Sequence, residues 1–354
     1  MITPPPNTRP PREAHRLDAA ALAKWLGANV PGASSEHAEV LQFKGGQSNP
    51  TYWVGSGELA LVVRKKPPGK LLPSAHAVER EYRVMVALRD SAVPVPEALA
   101  LCTDESVIGT PFFVMRWVPN RIFWDPTLPE LASNDLRREV YTDYVRVLAA
   151  LHDLDYVRAG LEDYGKVGGF VTRQVERWSK QYEASRTSNI PSMESLMTWL
   201  RGNIPASDET TLIHGDYRID NLMFSPDEPK VIGVIDWEIS TLGHPLSDLA
   251  YACMGYHLNL PGRGGLAGVD VGALGIPTEH EMVEEYKALT KRGAIDGWPF
   301  FMSFGIFRLA AIAQGVYARS QQGNASSDDA ASYGAAVNML SELGCKIAGI
   351  ATGG

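Results

Sequence analysis

The run His214-Gly215-Asp216-Tyr217-Arg218-Ile219-Asp220-Asn221, followed by Ile235-Asp236-Trp237-Glu238, constrains this chain more than any other feature. Leu222-Met223-Phe224 is a short apolar run, Ser225-Pro226-Asp227-Glu228-Pro229 is a turn, and Val231 to Ile235 reads as a returning strand. Pairing Ser225 near Val231 at constant register sets Asn221 opposite Ile235 and returns Asp236 beside Asn221. Two oxygen ligands at a strand end, with the Asp216 carboxylate just upstream, suit a hard cation and a reacting hydroxyl. A lone Asp or Asn in a turn bonds local backbone amides and needs no further role. Three of them ordered around one hairpin form a more demanding pattern.

In order and spacing, Asp216, Asn221 and Asp236 resemble the catalytic loop and metal-binding Asp of protein kinases. The His-Gly-Asp-x-x-x-x-Asn form of the loop resembles the aminoglycoside phosphotransferase and choline kinase-like branch of that superfamily. The resemblance implies an α+β, two-lobed protein kinase-like fold, with a small β-rich N-lobe and a larger, mainly α C-lobe. It implies Asp216 as the catalytic residue, Asn221 and Asp236 as metal ligands, and ATP and Mg²⁺ as cofactors. The expected organisation is a flexible Pro-rich arm over 1–16, a nucleotide-binding N-lobe over 17–118, and a C-lobe over 119–354 with the catalytic loop and acceptor site.

Upstream, Val40 to Phe43, Thr51 to Val54 and Leu59 to Arg64 read as strands, with Lys44 to Asn49 and Gly55-Ser56-Gly57 between them. Glycines at a hairpin tip let backbone amides approach a phosphate, and Gly-Gly is equally an ordinary turn signal. The loop departs from Gly-x-Gly-x-x-Gly and is similar to the shorter Gly-x-Ser loop of the antibiotic kinases, which assigns Ser48 to the nucleotide phosphates. The third strand ends Val62-Val63-Arg64-Lys65-Lys66. Alternation makes Arg64 the match to the family's phosphate-contacting basic residue, with Lys65 the alternative if register shifts by one. Lys66 and Lys70 read as solvated. A helix capped by Ser74 and running to about Arg89 sets Val78, Glu81, Tyr82, Met85 and Leu88 on one face. Glu81 interrupts that apolar stripe and requires a partner, because an unpaired buried charge is costly; the family's ion pair makes that partner Arg64. Pro111 to Val118 is an apolar strand, and the resemblance places adenine against backbone groups near Met115 and Trp117.

Farther on, Asn134 to His152, Val171 to about Ser185, Glu279 to Arg292, Trp298 to Ser320 and Asp328 to Ile347 read as helices. His152 reads as a packed structural residue, and His214 as orienting its loop. His244-Pro245-Leu246-Ser247-Asp248-Leu249-Ala250-Tyr251 is similar to the family's Pro-x-x-Asp-Leu-Ala segment, with Asp248 capping a helix or bracing the catalytic loop. Leu258 to Pro277 is Gly-rich and aperiodic, a lid or a plain loop. Arg308, among apolar neighbours, must find a partner, for which a structural carboxylate is preferred over an anionic group of the substrate.

At 354 residues, 45% hydrophobic and 21% charged, the chain has the composition of a globular protein. A net charge of -8 argues against a nucleic-acid partner. Cys102, Cys253 and Cys345 show no metal-ligand or disulfide spacing, which suggests a reducing compartment. Without an apolar leader in residues 1–16 or an evident membrane span, the expectation is a cytoplasmic protein with no membrane partner. The expected acceptor is a small-molecule hydroxyl. The resemblance is strongest to kinase-like modules joined to acyl-CoA dehydrogenases, through Arg64 to Lys70, Arg80 to Val84 and Phe307 to Arg319. That branch implies a hydroxyacyl thioester or hydroxy acid. Alternatives are an aminoglycoside or amino-alcohol kinase, a nucleotide-binding pseudokinase or scaffold, and a metal-dependent hydrolase using His214, Asp216 and Asp236.

Overall fold

The computed structural model describes residues 3–44, 49–67, 77–260, 264–321 and 330–351. The chain divides into two compact units, one of Met1–Ile122 with Asn221–Ile239, the other of Phe123–Asp220 with Ser240–Gly354. The six-stranded sheet lies in the first unit and most of the helices in the second, an α+β arrangement.

In the first unit β1 (Thr8–Arg9), β2 (Glu39–Phe43), β3 (Thr51–Ser56), β4 (Leu59–Lys65), β5 (Ala98–Cys102) and β6 (Phe112–Arg116) form one antiparallel sheet. Their order is β1-β2-β3-β4-β6-β5. Period-two alternation sends Tyr52, Val54, Leu61, Val63, Phe112 and Val114 to one face. There they pack with Leu22, Ala23 and Leu26 of α1 (Ala19–Asn29). Asp18 caps α1 by accepting the N–H groups of Ala20 and Ala21. α2 (Val78–Leu88) lies against β5 and β6, with the Tyr82 and Phe113 rings 6.2 Å apart. It starts at Val78 after an Ala77 cap that makes no side-chain bond. The expected cap, Ser74, lies outside the described residues, as does Lys70.

The described part of the N-terminal arm is not loose. Thr8 pairs with Phe43 and Arg9 with Gln42, Gln42 Nε2 bonds His15 Nδ1 at 3.0 Å, and the Tyr52 hydroxyl donates to the His15 carbonyl. Pro-rich sequence here supplies an edge strand, a place where missing amide donors are tolerated.

The second unit is built on α3 (Asn134–His152), α4 (Phe170–Ser185), α5 (Pro191–Gly202), β7 (Thr211–Ile213) with its antiparallel partner Thr241–Gly243, α6 (Pro245–Cys253), α7 (Glu279–Thr290), α8 (Trp298–Gln321) and α9 (Ala330–Ile347). α8 is the axis: α4, α5, α6 and α9 all pack on it. Contrary to the sequence reading, α8 is long and apolar enough to cross a membrane, with an 18-residue window of mean hydropathy 1.4. Yet 72% of that window is buried within the protein, so its apolarity is accounted for by packing. The Gly-rich stretch is anchored over its described residues, since Leu258, Leu266 and Ile276 are buried and the Tyr256 hydroxyl donates to the Pro277 carbonyl.

The hairpin of β8 (Leu222–Phe224) and β9 (Val231–Val234) returns to the first unit, where an undivided C-lobe over 119–354 was expected. Backbone bonds hold it there: Val234 N–H to Pro94 O, and a reciprocal pair between Arg121 and Phe224. Those bonds also carry the first unit past residue 118, to Ile122.

Candidate active site

The hairpin register brings Asp236 to Asn221. Leu222 pairs with Val234, and the Ile235 amide donates to the Asn221 carbonyl at 3.0 Å. At the tip the register slips by one between Met223 and Phe224, so Ser225 bonds Lys230 and not Val231. The slip is a bulge and leaves the strand ends in the expected register. Asp236 has φ 66°, a left-handed conformation disfavoured for a non-glycine residue. The adjoining Trp237 is fully buried and donates its indole N–H to Val234 O, fixing the backbone on either side. Such strain persists where surroundings over-determine it, and it clusters at functional positions.

Arg64 is the hub of the first unit's polar cluster. Its Nε lies 2.9 Å from Glu81 Oε2, and its Nη2 pairs with Asp236. Lys65, one residue on, faces the other side of β4 and is buried, which lowers its pKa. The Glu81 carboxylate also receives Asn49 Nδ2 at 2.8 Å, and Asn49 approaches Glu238 Oε2 at 3.5 Å. Burial pushes Glu81 up to about 7; Arg64 opposes this, while Asp236 and Glu238 add to it. For Arg64, burial acts to lower the pKa, and attraction to Glu81 and then Asp236 outweighs it. One guanidinium thus faces three carboxylates. That surplus of negative oxygen is the kind of environment a divalent cation occupies, and Asn221 and Asp236 are the residues that could hold one. Among the described residues no group of three His, Cys, Asp or Glu side chains forms a metal cage; a magnesium site completed by phosphate oxygens and water needs none. Lys66, expected to be solvated, pairs with Glu79 at 2.6 Å.

On β6, Met115 pairs with Val62 and Ala98 and is buried. The Trp117 amide donates to Ala60 O, so β4 already takes that N–H. Ser48 lies outside the described residues.

The second unit holds the loop His214 to Asp220. Gly215 has φ 83°, a conformation that a side chain would strain. Asp248, at the start of α6, accepts the His214 amide at 2.5 Å and the Gly215 amide at 2.7 Å. Burial acts to raise its pKa, but the hydrogen bond and charge of His152 and the neighbouring His214 hold it low. Asp248 therefore braces the loop, and His244 caps α6 by accepting the Leu246 amide. His152 Nδ1 bonds the Tyr286 hydroxyl at 2.7 Å, and Nε2 lies 3.5 Å from Asp248. His214 Nδ1 accepts the Asp216 amide. Both histidines are buried structural groups. Asp216 lies near the Tyr251 hydroxyl, whose pKa is raised by burial and then by the Asp216 charge, and 3.9 Å from Arg218 Nε. Arg218 is itself held by Asp220 through two hydrogen bonds.

Arg308 has no carboxylate partner among the described residues, contrary to the structural pairing preferred from sequence. Its Nη1 donates to the Gly215 carbonyl, and it stacks on Trp178 and Tyr251. Asn49, Trp178 and Tyr251 are the neighbours that sequence reasoning missed. None carries a local signal, since Asn before Pro reads as a turn and aromatic residues on helices read as core.

The chain is 47% identical over 341 residues to acyl-CoA dehydrogenase family member 10 of Mus musculus, covering 96% of this chain and 32% of that protein. It spans less than half the length of the curated acyl-CoA dehydrogenase relatives it matches. A crystal structure from Ralstonia eutropha, described there as a candidate aminoglycoside phosphotransferase, superposes with TM-score 0.86 at 45% identity, covering 94% of this chain and 99% of that one. The aminoglycoside phosphotransferase APH(4)-Ia, solved with AMP-PNP and hygromycin B, shares the fold at TM-score 0.58 and 16% identity, covering 92% of this chain and 99% of that one. The model of the phosphotransferase enzyme family, APH, matches residues 39–282, more than half of the chain, and the chain belongs to that family.

Proposed function

We propose that the chain is an ATP-dependent phosphotransferase that moves the γ-phosphate to a hydroxyl of a small molecule, with a hydroxyacyl-CoA or hydroxy acid as the acceptor class. The observation that carries the reading is Arg64 fixed between Glu81 and Asp236, which joins the nucleotide-contacting residue of this family to its metal-binding Asp in one cluster. Arg64 contacts the nucleotide phosphates and Glu81 fixes it. Ser48 of the Gly-rich loop adds a hydroxyl, while Met115 and Trp117 flank adenine, Trp117 through groups other than its amide N–H. Asn221 and Asp236 would hold Mg²⁺, which neutralises phosphate charge when bound.

Asp216 accepts a hydrogen bond from the acceptor hydroxyl and aims it at the γ-phosphorus. The new O–P bond forms as the bond from phosphorus to the bridging oxygen breaks. ADP leaves with that electron pair, and the hydroxyl proton passes to Asp216 late in the step and then to water. A carboxylate is a weak base for an alcohol, so its main contribution is orientation.

The acceptor class is supported by relatives named acyl-CoA dehydrogenase family members 10 and 11, of whose length this chain matches 32% and 43%. Three buried free cysteines accord with a cytoplasmic setting, and the acidic net charge with the absence of a nucleic-acid partner. The test offers labelled ATP and Mg²⁺ with hydroxyacyl-CoAs, hydroxy acids, amino alcohols and aminoglycosides to the wild type and to Asp216→Asn. Transfer to a hydroxyacyl acceptor, reduced at least a hundredfold by Asp216→Asn, is the expected result. Transfer undiminished by the substitution overturns the mechanism. Transfer to an aminoglycoside or amino alcohol alone replaces the acceptor class, and nucleotide binding without transfer points to a scaffold.

A further inference from the structure

The arginines of the second unit differ in one respect that bears on the acceptor. Arg146, Arg201, Arg218 and Arg292 each pair with a carboxylate. Arg308, like Arg137 and Arg173, has no carboxylate pair among the described residues, although it emerges from the apolar centre of α8 and is only partly exposed. Its guanidinium carbon lies 5.6 Å from the Trp178 ring centroid and 5.5 Å from that of Tyr251. Two aromatic faces hold a cation in place without neutralising it. Nη1 donates to the carbonyl of Gly215, the residue directly before Asp216. Among the described residues no protein acceptor takes the remaining N–H groups on the edge of the plane, and a planar guanidinium edge matches an oxyanion in a two-point contact.

Tyr251 ties this cation to the reacting end. Its ring stacks on Arg308, and its hydroxyl is near enough to Asp216 that the carboxylate charge adds to burial in raising its pKa. A hydroxyl oriented by Asp216 and an anion bound by Arg308 are therefore one aromatic side chain apart, a span that a single small molecule covers. Arg177 stacks on the other neighbour, Trp178, at 5.6 Å, and adds a second cation on the same indole. A polycationic acceptor would meet repulsion here.

We propose that Arg308 determines acceptor specificity by binding an oxyanion of the same molecule whose hydroxyl is engaged by Asp216. This rests on the phosphotransferase reading and narrows it to acceptors bearing a negative charge. The oxyanion is either the carboxylate of a free hydroxy acid or a phosphate of a carrier thioester.

Binding of four probes is measured by calorimetry without nucleotide: 3-hydroxybutyrate, its uncharged amide, 3-hydroxybutyryl-CoA, and the neutral N-acetylcysteamine thioester of 3-hydroxybutyrate. Phosphate transfer to each is then measured with ATP and Mg²⁺. The wild type is expected to bind one anionic member at least tenfold more tightly than its neutral counterpart. Preference for the acid over the amide identifies a carboxylate; preference for the CoA ester over the short thioester identifies the carrier phosphates. Arg308→Met keeps the apolar stem between the rings and is expected to abolish the preference, raising the acceptor KM more than tenfold at unchanged KM for ATP. Arg308→Lys retains charge and restores part of it, which controls for folding. Equal binding of charged and neutral members, binding of none, or a uniform fall in kcat for all acceptors at unchanged affinity overturns the proposal. Anion-selective binding with no transfer overturns the phosphotransferase reading while leaving the role of Arg308 intact.

Discussion

Tyr144 and Tyr217 each donate their phenol hydroxyl to the other's backbone carbonyl, at 3.1 and 2.8 Å, with ring centroids 4.9 Å apart. Both are buried, and burial raises both pKa values, so each remains a neutral donor. The reciprocal pair fastens the residue after Asp216 to α3. Tyr144→Phe or Tyr217→Phe leaves a buried carbonyl without that donor, which costs about 1–3 kcal/mol. Denaturant unfolding is expected to show that loss for each single variant. The double variant should lose less than the sum, because the two bonds share one interface.

Asp248 serves the same loop from the other side. Its carboxylate takes two backbone N–H groups and sits against His152 in a site with almost no solvent. Asp248→Asn replaces one acceptor oxygen by a donor, so one of the two amides is left unsatisfied and the His152 contact loses its charge. Stability is expected to fall by about 2–4 kcal/mol, from the cost of breaking a buried charged network. Phosphate transfer should fall at least tenfold at a temperature where the variant remains folded, with nucleotide affinity unchanged. Loss of nucleotide binding in parallel would show that the residue does more than shape its loop.

Arg64 reaches Glu81 through Nε and Asp236 through Nη2, two donors on one rigid plane. A lysine ammonium is a single point on a flexible stem and does not reproduce that span. Arg64→Lys is therefore expected to retain the fold but weaken nucleotide binding about tenfold, read by titration with a non-hydrolysable ATP analogue. Retained affinity would mean that the bridge is dispensable for the nucleotide.

The hairpin is legible in the sequence because it depends on local alternation and spacing, whereas the pairing of Glu81 with Arg64 also needs the family resemblance to name the partner. Leu222 against Val234 follows from counting along two strands, and Glu81 stands out as a charge on an apolar stripe. The bulge beyond Met223 was not legible, because it is set by Phe224 also bonding Arg121, about a hundred residues upstream in the chain. Helix α1 was missed because its short, alanine-rich stripe acquires meaning only against the sheet face of Tyr52, Leu61 and Val63. The sequence marks Arg308 as needing a partner and prefers a structural carboxylate over an anionic group of the substrate. A ring from α4, a ring from α6 and a loop carbonyl are tertiary neighbours that no spacing rule selects.

His244 makes stability depend on pH in a defined direction. It accepts the Leu246 amide at Nδ1, stacks 4.6 Å from the Phe301 ring and is almost fully buried. Burial lowers its pKa to about 4, with Glu209 opposing and Arg292 reinforcing the shift. The folded state therefore binds this proton more weakly than the unfolded chain, in which the group titrates near 6.5. Stability from His244 is fully present above about 6.5 and is lost as pH falls through that value toward 4, up to about 3 kcal/mol. His244→Asn keeps an oxygen acceptor for the helix cap and removes the titration. Chemical denaturation across pH 4 to 7 is expected to show a shallower stability decline on acidification for the variant, with its absolute stability reduced by the lost ring packing. Equal slopes for the two proteins would show that His244 takes up its proton in the folded state as readily as in the unfolded chain.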